Sequence, residues 1–292
     1  MRSSRSIILL SIFILLTGCS ITNLQQKGSV ENKEFYYSMK FSTAKGLVVI
    51  PAKIDGKQKN FIFDTGADLS LIQRDTFKGN TSKIKGASKR KVELGKELVE
   101  SIEIGTINFR DTYAWNGPLK GLKEQINNFG GIIGQPVISK ANWLINYPSK
   151  QLEISNENLV DNSYQNIKIN RKDGNPYTYL TLKGIKYEVV IDLGSTSILN
   201  IPKDSQLAKE ILNTYTFRER KRERYTLGGN QTITEKIGTL PLVKLGDIEF
   251  IDVETTINNS SQMRIGIRFF EEYAIYIDNT NGVYKIKKLI ID

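Results

Sequence analysis

Two short segments of this 292-residue chain place an aspartate directly after an apolar run and a glycine two positions later. Residues 61–67 read Phe-Ile-Phe-Asp-Thr-Gly-Ala, and residues 189–195 read Val-Val-Ile-Asp-Leu-Gly-Ser. Asp64 and Asp192 are the only aspartates in the chain with glycine at this spacing. The pairing indicates a site built from two carboxylates.

Aligning the two aspartates brings out an internal repeat. Gly56 precedes Asp64 by eight residues, as Gly184 precedes Asp192, and each glycine is typical of a hairpin turn that feeds the carboxylate strand. Three longer stretches match in the same order: 92–95 with 225–228, 101–109 with 242–250, and 134–146 with 266–278. The order of the matches predicts that one structural unit occurs twice in the chain.

Most of the sequence consists of short β-rich stretches separated by Gly, Asn, Asp and Lys, with 13 Tyr and 12 Phe, and this composition predicts an all-β body. The length allows two lobes of roughly 130 residues, each with its own core. We expect lobes at residues 34–160 and 161–292. The few helices predicted are residues 204–213, capped by Asp204, and short segments after Gly134 and Gly266.

The residue inventory excludes several classes of site. The chain has no histidine, which excludes Ser-His-Asp and Cys-His catalysis and every histidine-ligated metal site. Cys19 is the only cysteine, which excludes a disulfide framework and a cysteine-rich zinc site. We therefore expect neither a metal nor a cofactor.

Residues 1–18 have the order of a signal peptide: two arginines, a ten-residue apolar core and a small-residue step before Cys19. The segment resembles a bacterial lipoprotein signal, in which Cys19 would become the lipidated, palmitate-bearing N-terminus. An uncleaved membrane anchor is the alternative, but ten residues fall short of the roughly 20 that span a bilayer. Residues 19–33 are polar and predict a flexible tether. The resemblance implies a protein lipid-anchored in the bacterial cell envelope, with its folded part outside the cytoplasm.

The chain is basic, with a formal net charge of +10 that falls to +8 when the two arginines of residues 1–18 are removed. On an envelope lipoprotein this charge favours contact with anionic lipid or acidic polymers. The densest basic run, residues 218–224, alternates with glutamate and is more typical of a self-paired strand than of a phosphate-binding surface. No nucleic-acid partner is expected. A surface or adhesion module remains as an alternative that rests on charge alone.

From about residue 35 to 291 the chain resembles the aspartic peptidases of the pepsin and retropepsin type. The resemblance rests on Asp-Thr-Gly-Ala at 64–67, Asp-Leu-Gly-Ser at 192–195, Ile-Ile-Gly at 132–134 and Ile-Gly at 265–266. It implies a bilobed pepsin/retropepsin-like fold with two homologous β-barrel-like lobes. Asp64 and Asp192 would be the catalytic pair, facing each other across the cleft between the lobes. Homodimeric relatives carry one copy per chain; this chain carries both, so a monomer is expected.

Two carboxylates a few ångströms apart cannot both ionise, so the pair would share one proton and hydrolyse a peptide or protein substrate by general acid-base activation of water. The residues expected to support the pair are Thr65, Gly66, Gly194 and Ser195. Thr65 would bond across the lobe boundary, and Ser195 would bond Asp192. Substrate-binding hairpins are expected with their tips near two dipeptides, Leu94-Gly95 and Leu227-Gly228.

The chain departs from the family pattern at three places. Leu193 stands where threonine or serine is expected, Arg264 stands where an apolar residue is expected, and the first hairpin lacks the aromatic residue of the pepsin branch. Leu193 favours an alternative function, a peptide-binding lipoprotein that keeps the bilobed cleft but cuts slowly or not at all. The two intact aspartates and both glycines favour the peptidase.

Overall fold

The computed structural model describes residues 21–85 and 90–289. Within them the fold is all-β, which confirms the predicted class. The strands of the N-terminal half are β1 (Ser29–Val30), β2 (Tyr36–Lys40), β3 (Ser42–Ala44), β4 (Leu47–Ile54), β5 (Lys57–Phe63), β6 (Ser70–Gln73), β7 (Thr81–Lys85), β8 (Lys91–Ile104), β9 (Ile107–Gly117), β10 (Phe129–Ile133), β11 (Asn142–Asn146) and β12 (Gln151–Ser155).

The C-terminal half repeats this pattern. Its strands are β13 (Gln165–Lys168), β14 (Asn170–Lys172), β15 (Asn175–Leu182), β16 (Ile185–Asp192), β17 (Leu199–Pro202), β18 (Phe217–Thr226), β19 (Gly229–Leu245), β20 (Ile248–Asn258), β21 (Arg264–Gly266), β22 (Tyr273–Asp278) and β23 (Val283–Lys288). The helices of the described chain are α1 (Lys120–Lys123), α2 (Gln135–Ile138), α3 (Gln206–Thr214) and a 3₁₀ turn, η1 (Ile267–Phe270), and residues 21–26 are also helical.

Each lobe is built on one large sheet with the same arrangement at its centre. In the first, β10 lies between β5, to which it is parallel, and β6, to which it is antiparallel. In the second, β21 lies in the same way between β16 and β17. Strands buried on both faces read as continuous apolar runs, which explains residues 61–63 and 189–191 ahead of the two aspartates.

A tight turn feeds each aspartate strand, as the glycine spacing predicts. Asp55 and Gly56 connect β4 to β5 with φ of 52° and 72°. Lys183 and Gly184 connect β15 to β16 with φ of 49° and 80°. Two successive positive φ values are the signature of a turn whose twist matches that of the flanking strands, so register is fixed upstream of both aspartates.

A third sheet joins the lobes. Its six strands run in the order β13-β23-β22-β11-β12-β2, three from each half, with β11 and β22 antiparallel at the centre. There Trp143 pairs with Ile277, and Trp143 also packs on Phe63 at a ring-centroid distance of 5.0 Å. One hydrophobic core therefore runs from the shared sheet to the strand that precedes Asp64.

The helix predicted at residues 204–213 begins later than expected. It spans Gln206–Thr214, and Ser205 rather than Asp204 is its cap. The Ser205 hydroxyl accepts a hydrogen bond from the N–H of Ala208 (3.1 Å). A hydroxyl at this position satisfies one of the free N–H groups of the first turn. The short helical segments predicted after Gly134 and Gly266 are confirmed as α2 and η1.

The prediction of a flexible tether at residues 19–33 is wrong from residue 21 onwards. Gln25 is buried and its amide donates to the carbonyl of Asp173 (2.9 Å), while β1 pairs with β9. The Gln25 amide holds this segment to the C-terminal half and the pairing of β1 holds it to the N-terminal half, which its composition does not reveal. Residues 1–18 and Cys19 lie outside the described residues. No helix in 21–85 and 90–289 has the length and hydropathy of a membrane span.

Candidate active site

The two aspartates lie at equivalent places in the two sheets. Asp64 directly follows β5, and its N–H donates to the carbonyl of Ile133 in β10 (3.0 Å). Asp192 is the last residue of β16 and pairs with Gly266 in β21. Asp64 is partly buried, and Asp192 is 9% exposed. Both carboxylates are therefore largely desolvated.

The two loops interlock through their glycines. A Cβ atom on Gly66 would lie 2.7 Å from Cγ of Asp192, and one on Gly194 would lie 2.1 Å from Cγ of Asp64. Contacts this short exclude any side chain at either position. Each carboxylate is thus held against the backbone of the opposite loop, and the two meet at the lobe boundary.

Thr65 bridges the lobes. Its hydroxyl donates to the carbonyl of Ile191 (2.8 Å) and accepts from the N–H of Leu193 (2.9 Å). Gln135 donates a further bond to the carbonyl of Thr65 (2.6 Å). The equivalent side chain in the second loop, Leu193, is fully buried in the hydrophobic core. The side-chain hydrogen bonds that join the two loops are therefore made by Thr65 of the first loop, with no counterpart from Leu193 of the second.

The Ser195 hydroxyl does not bond the Asp192 carboxylate in the described structure. It pairs with the hydroxyl of Ser197 at 2.7 Å and accepts from the Ser197 N–H at 3.4 Å. The expected bond from this hydroxyl to Asp192 is therefore not made, although the backbone N–H of Ser195 donates to the carbonyl of Asp192 at 3.0 Å. A neighbouring hydroxyl two residues along the same loop takes its bond, which the family pattern gives no reason to expect.

The pKa of Asp64 is raised well above its ordinary value. Burial is the largest cause, followed by the negative charge of Asp192 and a side-chain hydrogen bond with it. The N–H of Gly66, which donates to Oδ1 of Asp64 at 2.8 Å, and the charge of Arg264 oppose the shift without cancelling it. The raised pKa of Asp64 favours a pair that holds one proton between its two carboxyl groups.

Arg264 contacts the other carboxylate. Its Nε lies 3.1 Å from Oδ2 of Asp192, with only 14% of the arginine side chain exposed. The N–H direction misses the oxygen, so the contact is an ion pair without a hydrogen bond. The site is therefore asymmetric, because among the described residues an arginine contacts Asp192 and none contacts Asp64. The sequence marks Arg264 only as a departure from the family pattern.

The first hairpin does not carry Leu94 and Gly95 near its tip, and that prediction is wrong. Strands β7 and β8 pair from Lys85 with Lys91 to Thr81 with Gly95, so Gly95 lies at the end of the pairing away from residues 86–89, which are outside the described residues. Leu94 is fully buried, and Gly95 pairs with Thr81 and Asn116 inside β8. A Cβ atom on Gly95 would lie 2.3 Å from the carbonyl oxygen of Lys78. Glycine at this position therefore lets the backbone at Lys78 approach β8 closely.

The second hairpin carries Leu227 and Gly228 at its tip, as predicted, between β18 and β19. The tip reaches across to the N-terminal lobe. A Cβ atom on Gly121 of α1 would lie 2.9 Å from Cα of Gly229. The side chains of Tyr225 and Leu227 pack on apolar residues of that lobe. This hairpin therefore bridges from one lobe to the other, past the side of the cleft.

Residues 50–137 match the family model described as aspartyl protease. The match lies within the N-terminal half and includes the Asp64 loop and β10. The match supports an aspartic peptidase family for the chain and a peptidase-type function. No curated protein matches the chain in sequence.

Proposed function

We propose that the chain is an aspartic endopeptidase that hydrolyses peptide bonds with Asp64 and Asp192 and is tethered to a membrane of the bacterial envelope through Cys19. The observation that carries the peptidase proposal is the interlock of the two loops, which sets each carboxylate against the opposite glycine. Such a pair of like charges is costly to bury, and a protein that only binds peptides has no need of it.

The contact of Arg264 with Asp192 supports a division of roles within the proposed pair. Charged Asp192 takes a proton from a water molecule as the water oxygen attacks the peptide carbonyl carbon. Protonated Asp64 gives its proton to the carbonyl oxygen, which yields a neutral tetrahedral intermediate. The intermediate collapses when Asp192 gives its proton to the leaving nitrogen and Asp64 takes one back from a hydroxyl. The C–N bond breaks, and the pair returns to its starting state.

The shared six-stranded sheet supports action as a monomer. It takes three strands from each half of one chain and fixes both loops relative to each other. Both aspartates, both glycines and the Thr65 bridge are present in a single chain.

A peptide-binding protein without hydrolytic activity is the second candidate, and two observations favour it. The ion pair with Arg264 engages Oδ2 of the carboxylate that must take a proton from water. Buried Leu193 removes half of the polar exchange between the loops.

Digestion of a denatured protein separates the two candidates. The full-length chain would be incubated with it from acid to neutral pH, beside Asp64→Asn, Asp192→Asn and the double variant, and products read by mass spectrometry. Each single variant should abolish cleavage, with no further loss in the double variant, because the two residues act as a unit. Asp204→Asn, at an exposed position, is the matched control. Products that persist in Asp64→Asn would place the activity elsewhere, and binding without cleavage by the wild type would establish the second candidate.

The tether is tested separately with the Cys19→Ser variant. We expect it to lose incorporation of labelled palmitate while its folded body is unchanged. Equal incorporation into both forms would refute the anchoring proposal without affecting the peptidase proposal.

A further inference from the structure

Strand β18 of the second hairpin has two different faces. Residues 219, 221 and 223 are exposed, whereas Arg220, Arg222 and Arg224 alternate with them and are partly buried. Side chains alternate between the faces of a strand, so these three arginines share one face, which we call the inner face.

Two of the three inner-face arginines have a carboxylate. Glu235 on the paired strand β19 has a fully buried side chain, and its Oε1 accepts from Arg220 and from Arg222, each at 2.7 Å. Its other oxygen accepts from the amide of Asn258 (3.1 Å). These bonds hold the pKa of Glu235 below its ordinary value despite its burial. Glu235 is therefore ionised, and its oxygens are already engaged.

Arg224, two residues nearer the tip, has no such partner. Among the described residues, its guanidinium donates no hydrogen bond and forms no ion pair within 4 Å. It lies close enough to Arg264 and Asp192 for both charges to act on it. Burial lowers the pKa of Arg224, and the positive charge of Arg264 lowers it further. Arg224 thus presents a guanidinium without a partner within electrostatic range of Arg264 and of the proposed catalytic pair.

The charges beside the pair do not balance. Four guanidiniums, those of residues 220, 222, 224 and 264, are met by two negative charges, that of Glu235 and the one that Asp64 and Asp192 carry between them, because two adjacent carboxyl groups do not both ionise. The Nε of Arg264 is buried without a hydrogen bond. Partly buried cations that lack partners are costly, and an anion placed between them would relieve the cost.

We propose, on the basis of the proposed peptidase function, that Arg224 and Arg264 form an anion subsite that selects substrates with a carboxylate side chain next to the bond to be cleaved. A guanidinium presents its N–H groups as a planar fork that matches a carboxylate, so one Glu or Asp side chain can receive donors from both arginines. The contact of Arg264 with Asp192 places the subsite at the residues flanking the scissile bond. The free C-terminal carboxylate of a short peptide has the same chemistry and is the alternative source of the anion.

The test uses three pools of fluorescein-labelled peptides with randomised flanks. The central residue is Glu in the first pool and Gln in the second, both with amidated C-termini, and the third is the Gln pool with a free C-terminus. Cleavage is measured with the full-length wild type, Arg224→Gln and Lys221→Gln. Lys221 lies on the same strand with its side chain on the exposed face, so its variant removes one charge without touching the subsite. Binding of each pool to Asp64→Asn is measured by fluorescence anisotropy.

We expect the wild type to cleave the Glu pool about tenfold faster than the amidated Gln pool, the size of one charge-assisted hydrogen bond. The ratio should fall towards one in Arg224→Gln and stay unchanged in Lys221→Gln, and Asp64→Asn should bind the Glu pool more tightly. Equal cleavage of both amidated pools, or an unchanged ratio in Arg224→Gln, would overturn the subsite while leaving the peptidase intact. A preference for the free C-terminus over the Glu pool would overturn the side-chain assignment. If no pool is cut, the peptidase proposal fails, and the binding ratio alone decides on the subsite.

Discussion

The loops that carry Asp64 and Asp192 have the same backbone path but are held in different ways. The first is held by hydrogen bonds: Thr65 bonds two groups of the opposite loop, and Gln135 bonds Thr65. The second is held by apolar packing and a charge: Leu193 is buried in the core, and Arg264 lies against Asp192. In a homodimer both loops would carry the same residues. Joining the halves in one chain allows one threonine to serve both loops and the two carboxylates to specialise.

The largest expected difference between the loops comes from the same change in each aspartate. The raised pKa of Asp64 means that its contribution to stability is full below the ordinary carboxyl value of 3.8 and is lost as pH rises through the folded-state value. Asparagine stays neutral, so Asp64→Asn should unfold at a higher temperature than the wild type near neutral pH. Asp192→Asn should lower the free energy of unfolding by about 1–3 kcal/mol, and with it the unfolding temperature, because Arg264 loses its counterion. Thermal midpoints across pH give the answer, and shifts of the same sign would show that the carboxylates are not specialised.

Removing the hydroxyl of the first loop should have the next largest effect. Thr65→Val keeps the shape of the side chain but leaves the carbonyl of Ile191 and the N–H of Leu193 without their partner. Each unsatisfied buried group costs roughly 1–3 kcal/mol. The free energy of unfolding measured with denaturant and the cleavage rate should both fall in Thr65→Val. Thr65→Ser, which keeps the hydroxyl, should retain most of both. A valine variant as active and stable as wild type would remove the basis for the comparison.

A hydroxyl added to the second loop should have a smaller effect. Leu193→Thr offers the N–H of Thr65, which has no acceptor among the described residues, a partner across the boundary. Leu193→Val is the matched control because it has the shape of threonine without the hydroxyl. Both variants should lose about 1–3 kcal/mol for the space left in the core. The threonine form should exceed the valine form by about 1 kcal/mol and cut faster. A threonine variant that melts at a lower temperature than the valine variant and cuts no faster would mean that the added hydroxyl does not bond the N–H of Thr65.

The smallest expected effect is a shift in the pH profile. Arg264 opposes the rise in the pKa of Asp64, and it is the weakest of the causes that act on it. Arg264→Met should therefore move the alkaline limb of the cleavage profile slightly to higher pH, since Asp64 would hold its proton longer. The profile should be measured on peptides without acidic side chains, so that changes in substrate selection do not enter. A limb that moves to lower pH would contradict the charge assignment.

The repeat in the sequence predicts the fold and the catalytic pair because both depend on local patterns. The turn glycines at 56 and 184 set the register of the aspartate strands, and Gly66 and Gly194 allow the close approach of the loops. The contact of Arg264 with Asp192 arises because β21, which is distant in sequence, pairs with β16. Sequence spacing does not predict the distance between these two side chains.

Two other errors have local causes. Gly95 matches Gly228 in sequence, but β8 is longer than the match assumes and takes Gly95 into the strand. Residues 21–33 are polar, and composition cannot show that their polar groups bond specific backbone atoms elsewhere in the chain.

The contact between Gly121 and Gly229 has a consequence for turnover. The hairpin tip lies so close to α1 that no peptide chain fits between the two while they are in contact. A substrate bound between them would therefore require an opening and a closing step in each round of hydrolysis, and motions of this kind often limit the rate of an enzyme more than its chemistry does. A turnover number that falls as solvent viscosity rises would be the kinetic signature of that gate, and it would identify product escape rather than bond breaking as the slow event.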